Sequence, residues 1–506
     1  MTVLYFVDTA ILCLVTSYLL FKFLNRNFDY WKSRGVPFLK PHIFFGNYYD
    51  ILTFKRTIGH SLSDMYNQIS GPYFGIWVFN TPHFVAKDPE IVKQILVKDF
   101  KYFQDRTIAS NEEADDLAAN VLFIMKNPDW KILRSKMTPV FTSGKIKCMI
   151  PLMNKVAEDL TLYLTKLSMK QDSIEAKEVC AKYSTDVITS CAFGIEGHSF
   201  EKEDAAWRSI GKDMFEFTLY NGFRSTSYFF LPKLVDLLKI KFIPTHVSVF
   251  LKEAFLNTID HRKFENSNRN DLIDILIKLQ KEGELGTPIE STKIIAQAAQ
   301  FFLAGYETTS STISYALYEL CLDRTIQKKL IREIRLTLKK HGAITYEAIQ
   351  DMKYLHKVVQ ETLRKYPVLP FLDRATAMDW KIPGSNIILE KGTPVYIPMF
   401  ALHYDPKYFP NPDTFDPERF SDEQINSRPT FAYIPFGSGP RNCIGERFGL
   451  IGAKLALVHI LSQFEVECSN DTPVPIEFEP KTFTLASKIG LPMRFVESKR
   501  RPSFAA

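Results

Sequence analysis

The cysteine at position 443 has surroundings suited to chemistry. It stands in Phe436-Gly437-Ser438-Gly439-Pro440-Arg441-Asn442-Cys443-Ile444-Gly445. Two glycines permit a tight turn with positive φ angles, and the turn delivers the cysteine to the start of a helix expected over 445–463. Free backbone N–H groups and the helix dipole favour a thiolate there. Such a thiolate can be a nucleophile, a redox thiol or a metal ligand. No Cys or His close in sequence completes a zinc set, although ligands from distant segments stay open. The plainer alternative is an ordinary cysteine beside a structural glycine turn.

Two further clusters carry chemical residue types. Ala304-Gly305-Tyr306-Glu307-Thr308-Thr309 places an acid and a hydroxyl side by side, as proton delivery requires. Gly305 tolerates a local kink, which would free backbone groups to bind water. The competing reading is small and β-branched residues packing against a neighbouring helix. Glu361 and Arg364, at i and i+3, share a helix face. An exposed pair of this kind contributes little.

These groups need elements to hold them. Tyr73 to Phe79 and His83 to Ala86 read as strands across Asn80-Thr81-Pro82. Asp88-Pro89 reads as a cap and first helical residue. Periodicity is then mostly helical to about residue 365. The longest helix, expected over 291–323, is apolar on several faces and so belongs in the core. Short strands return near Trp380 to Ile382 and Asn386 to Pro398. The fold class is mainly α with small β-sheets.

Hydrophobic residues at 46% and charged residues at 24% describe a folded chain with a sizeable core. A formal charge of +6 without a strong Lys/Arg block gives no reason to expect nucleic acid. The seven cysteines form no C-x-x-C pair or disulfide-like rhythm, which argues for a reducing compartment. Val3 to Phe23 is almost continuously apolar, and Lys22, Arg26, Lys32 and Arg34 follow. This predicts a retained transmembrane helix with the body on the cytosolic side, in preference to a cleaved signal. The expected organisation is an anchor over 1–24, a hinge over 25–47 and one large domain over 48–506.

The ten residues ending at Gly445 resemble the haem-binding signature of the cytochrome P-450 superfamily, and the other motifs follow in that family's order. The resemblance implies one helix-rich domain holding haem b, iron protoporphyrin IX, with Cys443 as proximal thiolate ligand of the iron. By the same match Phe436 packs beside the sulfur, Arg441 meets a propionate and Gly445 leaves room for the porphyrin. Ala304 to Thr309 looks like the oxygen-activation motif, with Glu307 and Thr308 as its catalytic pair. Trp130 and Arg134 match a W-x-x-x-R expected to face one propionate, and Arg106 and Arg374 resemble further propionate arginines. Glu361, Arg364 and Arg419 (from Pro417-Glu418-Arg419-Phe420) correspond to a buried structural triad. The resemblance is strongest to insect microsomal, xenobiotic-metabolising members.

The implied function is monooxygenation: dioxygen is activated and a small lipophilic molecule is hydroxylated or epoxidised. No flavin or nicotinamide fingerprint is present, so electrons are expected from an NADPH-cytochrome P-450 reductase, with cytochrome b5 as a further donor. The expected location is the endoplasmic reticulum membrane, facing the cytosol. Lys131, Lys136 and Arg447 are candidates to meet an acidic partner; solvated surface charge is the simpler account. Phe301, Phe302, Ala304, Leu369, Phe371 and Leu485 are expected pocket walls. The aromatic stretch from Met214 to Pro244 is the expected roof, suited to substrates arriving from the bilayer. Three rivals remain: a haem-thiolate enzyme that rearranges substrates without electrons, a non-catalytic haem protein, and a cysteine-nucleophile hydrolase. Glu307 and Thr308 speak against the first, and the lack of a marked histidine partner against the last.

Overall fold

A computed structural model describes residues 2–265, 271–282 and 291–498. Helix α1 (Thr2–Asn25) contains Asp8–Asn25, the one described helix long and apolar enough to cross a membrane. Its described side chains are mostly exposed, as expected of a helix that finds no partner in the body. Most of the stretch expected as a hinge instead packs on the body. The Trp31 indole is fully buried and donates to Ile76 O at 3.1 Å. Asn47 N donates to Trp77 O at 2.7 Å, and Trp77 N donates to Asn47 Oδ1 at 2.8 Å. Burying a large aromatic outweighs the stiffness that proline and glycine suggested.

Strands β1 (Tyr73–Val78) and β2 (Thr81–Ala86) form an antiparallel hairpin, and Asp88 caps the next helix by accepting from Glu90 N at 2.8 Å. The remaining strands are β3 (Ile174–Glu175), β4 (Leu372–Ala375), β5 (Trp380–Lys381), β6 (Ile388–Leu389), β7 (Pro394–Ile397), β8 (Phe464–Cys468) and β9 (Pro492–Glu497). They form three small sheets ordered β1-β2-β7-β4, β3-β9-β8 and β5-β6; only β2 and β7 pair in parallel.

The rest is helical. The helices of the body that matter below are α2 (Asp129–Met137), α3 (Ser143–Ser168), α4 (Ala176–Ile188), α5 (Ala206–Phe215), α6 (Leu219–Phe230), α7 (Ser291–Leu322), α8 (Arg324–His341), α9 (Lys353–Lys365) and α10 (Glu446–Gln463). Helix α7 has 32 residues and runs through the core, buried on nearly every face between Ile294 and Cys321, as its uninterrupted small and apolar sequence requires. Helices α4 and α10 pack against it. Ile188 on α4 comes so close that a Cβ at Gly305 would lie 3.1 Å from it. Gly305 therefore permits close helix packing, and α7 stays helical through this point. The expected kink is replaced by a tight interhelical contact.

Candidate functional site

A cavity of about 340 Å³ lies between α7 and the segment that enters α10. Its wall includes Ala304, Gly305 and Thr308 on one side and Phe436, Cys443 and Gly445 on the other. The turn carrying Cys443 is fixed by its own backbone. Cys443 N donates to Phe436 O at 2.8 Å, and Asn442 N donates to Gly439 O at 3.0 Å. Gly437 and Gly439 have φ of 70° and 73°. A Cβ at Gly439 would sit 1.9 Å from Leu96 O, so only glycine fits there.

Cys443 has free surface, and that surface borders the cavity. Burial pushes its thiol up to about 11, against the lowering influence of the Gly445 N–H group and the nearby Arg134. Among the described residues, no histidine lines the cavity. A hydrolase would need a base to activate such a thiol, whereas a metal ion removes the proton by coordination.

On the α7 side, Thr308 Oγ1 donates to Ala304 O at 2.8 Å. Glu307 turns its carboxylate elsewhere. Its Oε2 lies 3.0 Å from Lys177 Nζ on α4, and its Oε1 accepts from Ser311 at 3.2 Å. Lys177 also donates to Ser310 and Ser311 Oγ at 2.7 and 2.9 Å. Nothing in the sequence marked Lys177, which is 130 residues away from Glu307.

Buried cations crowd the other end of the cavity. Arg106 donates to Asp373 Oδ1 at 2.9 Å, and its Nε has no partner. Arg374, fully buried, donates to Asp373 O at 2.7 Å and likewise leaves Nε unpaired. Arg441 donates to Asp105 Oδ1 at 3.1 Å, to Met125 O at 3.0 Å and to Gln104 O, and stacks 4.0 Å from the Trp130 ring. Lys126 donates to Arg106 O and Ile108 O. Burial lowers Arg374 well below the arginine range, Arg441 to about 9 and Lys126 to about 8. Burial alone would raise Asp373, but Arg106 and Arg374 outweigh it and hold the carboxyl at about 2.

Arg134 lines the cavity close to Cys443. It clamps Asn442 through Oδ1 and the backbone oxygen, both at 2.8 Å, beside the cysteine. Among the described residues, buried Arg106, Arg374 and Arg441, with half-buried Lys126 and Arg134 nearby, meet two carboxylates here, Asp105 and Asp373. A buried excess of this size calls for anionic partners. The space at Gly445 is open, with nothing within 4 Å of a Cβ built there. A group with two carboxylates and a metal that takes a thiolate fits these residues.

The structural triad assembles as expected. Glu361 and Arg364 are wholly buried and joined by two bonds of 2.7 and 2.8 Å. Arg419 Nε lies 3.4 Å from Glu361 Oε1. Among the expected pocket walls, Phe301, Ala304 and Leu369 line the cavity. Phe302, Phe371 and Leu485 stand behind it. Phe302 packs on Trp207, Phe371 packs on Phe229 and Phe230, and Leu485 N donates to Val368 O. Phe123, Phe215, Phe229, Phe242 and Phe483 take their places. The aromatic stretch around 214–244 pointed to three of these five, but not to which of its rings turn inward.

Comparison with known proteins places these features together. The family profile described as "Cytochrome P450" matches residues 36–492. "Cytochrome P450 6k1" of Blattella germanica is 42% identical over 496 residues, covering 94% of each chain. "Probable cytochrome P450 6a13" of Drosophila melanogaster is 39% identical over 495 residues, covering 97% of this chain and 99% of its own.

Proposed function

Since the chain belongs to the cytochrome P450 family and is a haem-thiolate monooxygenase, we propose that Cys443 is the iron ligand and haem b the cofactor. The proposed reaction is hydroxylation or epoxidation of small lipophilic substrates, with electrons from an NADPH-dependent flavoprotein reductase and a secondary input from cytochrome b5. The observation that carries this reading is the cavity itself, with Cys443 on one wall, Thr308 on the opposite one and, at its end, buried arginines of which Arg106 and Arg374 leave Nε unpaired.

Arg106, Arg374 and Arg441 would hold the two propionates, helped by Lys126, while Trp130 braces Arg441. Phe436 and Gly445 would flank the porphyrin on the cysteine side. When bound, the haem supplies reductive activation of dioxygen and transfer of one oxygen atom, and the thiolate favours O–O cleavage.

The chain's own residues do the rest. Arg134 fixes Asn442 and so the position of the neighbouring Cys443. Thr308 points its proton at Ala304 O and keeps oxygen lone pairs available to the cavity, where they can accept a proton and release their own. Lys177 and Ser311 hold the Glu307 carboxyl group in one orientation, next to Thr308 in the chain. Phe123, Phe215, Phe229, Phe242 and Phe483 keep water out and bind by burial and shape, which discriminates weakly between similar apolar molecules.

Helix α1 is proposed as a membrane anchor that places the body on the cytosolic face of the endoplasmic reticulum. The joint is the short segment before Trp31, the first residue buried in the body. The test is reconstitution with a flavoprotein reductase, NADPH and ¹⁸O₂ over a panel of lipophilic probes. One labelled oxygen per product is expected. Product without NADPH would indicate a rearrangement enzyme, and no NADPH use with any probe a ligand-binding haem protein.

A further inference from the structure

Two cysteines outside the cavity meet at the end of α7. Cys321 occupies the last turn of that helix, and Cys468 ends β8, 147 residues further along. Their sulfurs are 3.4 Å apart, and Cys468 Sγ also lies 3.6 Å from Cys321 O. Cys321 is only 4% exposed, whereas Cys468 is open to solvent. We propose that Cys321 and Cys468 form a thiol-modification site that reacts with small disulfides and closes to a Cys321–Cys468 disulfide.

The backbones on both sides are already held in place. Gln327 on α8 donates to Leu320 O and to Val466 O, both at 2.8 Å, and its Oε1 accepts from Val466 N at 2.9 Å. Tyr318 Oη donates to Pro473 O at 2.7 Å, and Arg324 pairs with Glu467 at 2.7 Å. These bonds hold the end of α7, the start of α8, β8 and the segment after it together around the sulfur pair. Closing the gap to a bond of about 2.05 Å needs an approach of about 1.4 Å, within reach of side-chain rotation.

The difference in exposure sets the order of events. The Cys468 thiolate attacks one sulfur of the small disulfide; that S–S bond breaks and one thiol departs. Cys321 sulfur then attacks Cys468 sulfur and expels the second thiol, which takes up the Cys321 proton. Two protein thiols are oxidised and one small disulfide is reduced to two thiols. Cys321 lies behind Cys468, so it meets the mixed disulfide only after Cys468 has reacted. The product fastens the end of the helix that carries Thr308 to the strand that follows α10.

The test treats the full-length, haem-loaded chain in membranes with glutathione disulfide or reduced glutathione. Alkylation and peptide mass spectrometry follow. The expected result is a Cys321–Cys468 linked peptide, joint loss of both free thiols, reversal by dithiothreitol and a higher thermal midpoint in the oxidised form. Cys321→Ser should stop at a glutathione adduct on Cys468, and Cys468→Ser should leave Cys321 unmodified. A lasting adduct on Cys468 in the unaltered chain, or both thiols still free, overturns the proposal.

Discussion

Replacing Arg364 by alanine leaves Glu361 wholly buried with only Asp416 N at 2.9 Å and Arg419 at 3.4 Å as partners. Four bonds are lost: two to the carboxylate, one to His403 O at 3.1 Å and one to Thr414 O at 3.3 Å. Stranding one member of a buried pair costs about 3–5 kcal/mol. For 506 residues an unfolding entropy near ~2.1 cal/mol/K per residue gives about 1 kcal/mol/K, so the midpoint falls by about 3–5 °C. Glu361→Leu strands the arginine and should cost a similar amount. The double variant strands neither charge, and its loss should fall short of the summed single losses by about 2–3 kcal/mol. The assay is a four-member thermal-unfolding cycle at one scan rate, with haem content measured in parallel and expected to fall in both single variants. Additive losses would refute the reasoning, because they would mean the two charges stabilise the body independently.

Thr308→Ala should keep haem and substrate binding but lower product formed per NADPH consumed; unchanged coupling would show that protons reach the site by another route. Lys177→Met, which removes the cation 3.0 Å from Glu307, should likewise lower coupling while leaving the haem spectrum intact, and full coupling would show that Glu307 needs no such restraint. Asp373 is held at about 2, below the ordinary value near ~3.9. A depressed carboxyl contributes stability that is complete above about pH 4 and is lost as pH falls through about 2. Asp373→Asn should flatten that part of the acid-unfolding curve, and an unaltered slope between pH 4 and 2 would contradict the assignment.

What the sequence made legible was local. Gly437 and Gly439 announced a tight turn, Asp88-Pro89 a helix start, and the small, apolar run after Ser291 a core helix, because each signal acts within a few residues. Juxtapositions between distant segments were not legible. Asp373 meets Arg106 from 267 residues away, and Lys177 meets Glu307 across 130. Their charges look like ordinary surface residues until the fold buries them. The same limit explains Phe302 and Phe371, whose apolar character was evident but whose facing depends on Trp207 of α5 and on Phe229 and Phe230 of α6. Trp31 was missed as part of the body because the prolines and glycine after it suggested a stiff hinge, while its burial depends on a sheet some 45 residues later.

The central claim is that Cys443 holds haem iron through its sulfur, and the absorption spectrum of the reduced, carbon monoxide-bound protein tests it most directly. The account predicts a strongly red-shifted Soret band, lost in Cys443→Ser. A band at the position of histidine-ligated haem in the unaltered protein, or a red-shifted band that survives Cys443→Ser, would contradict it.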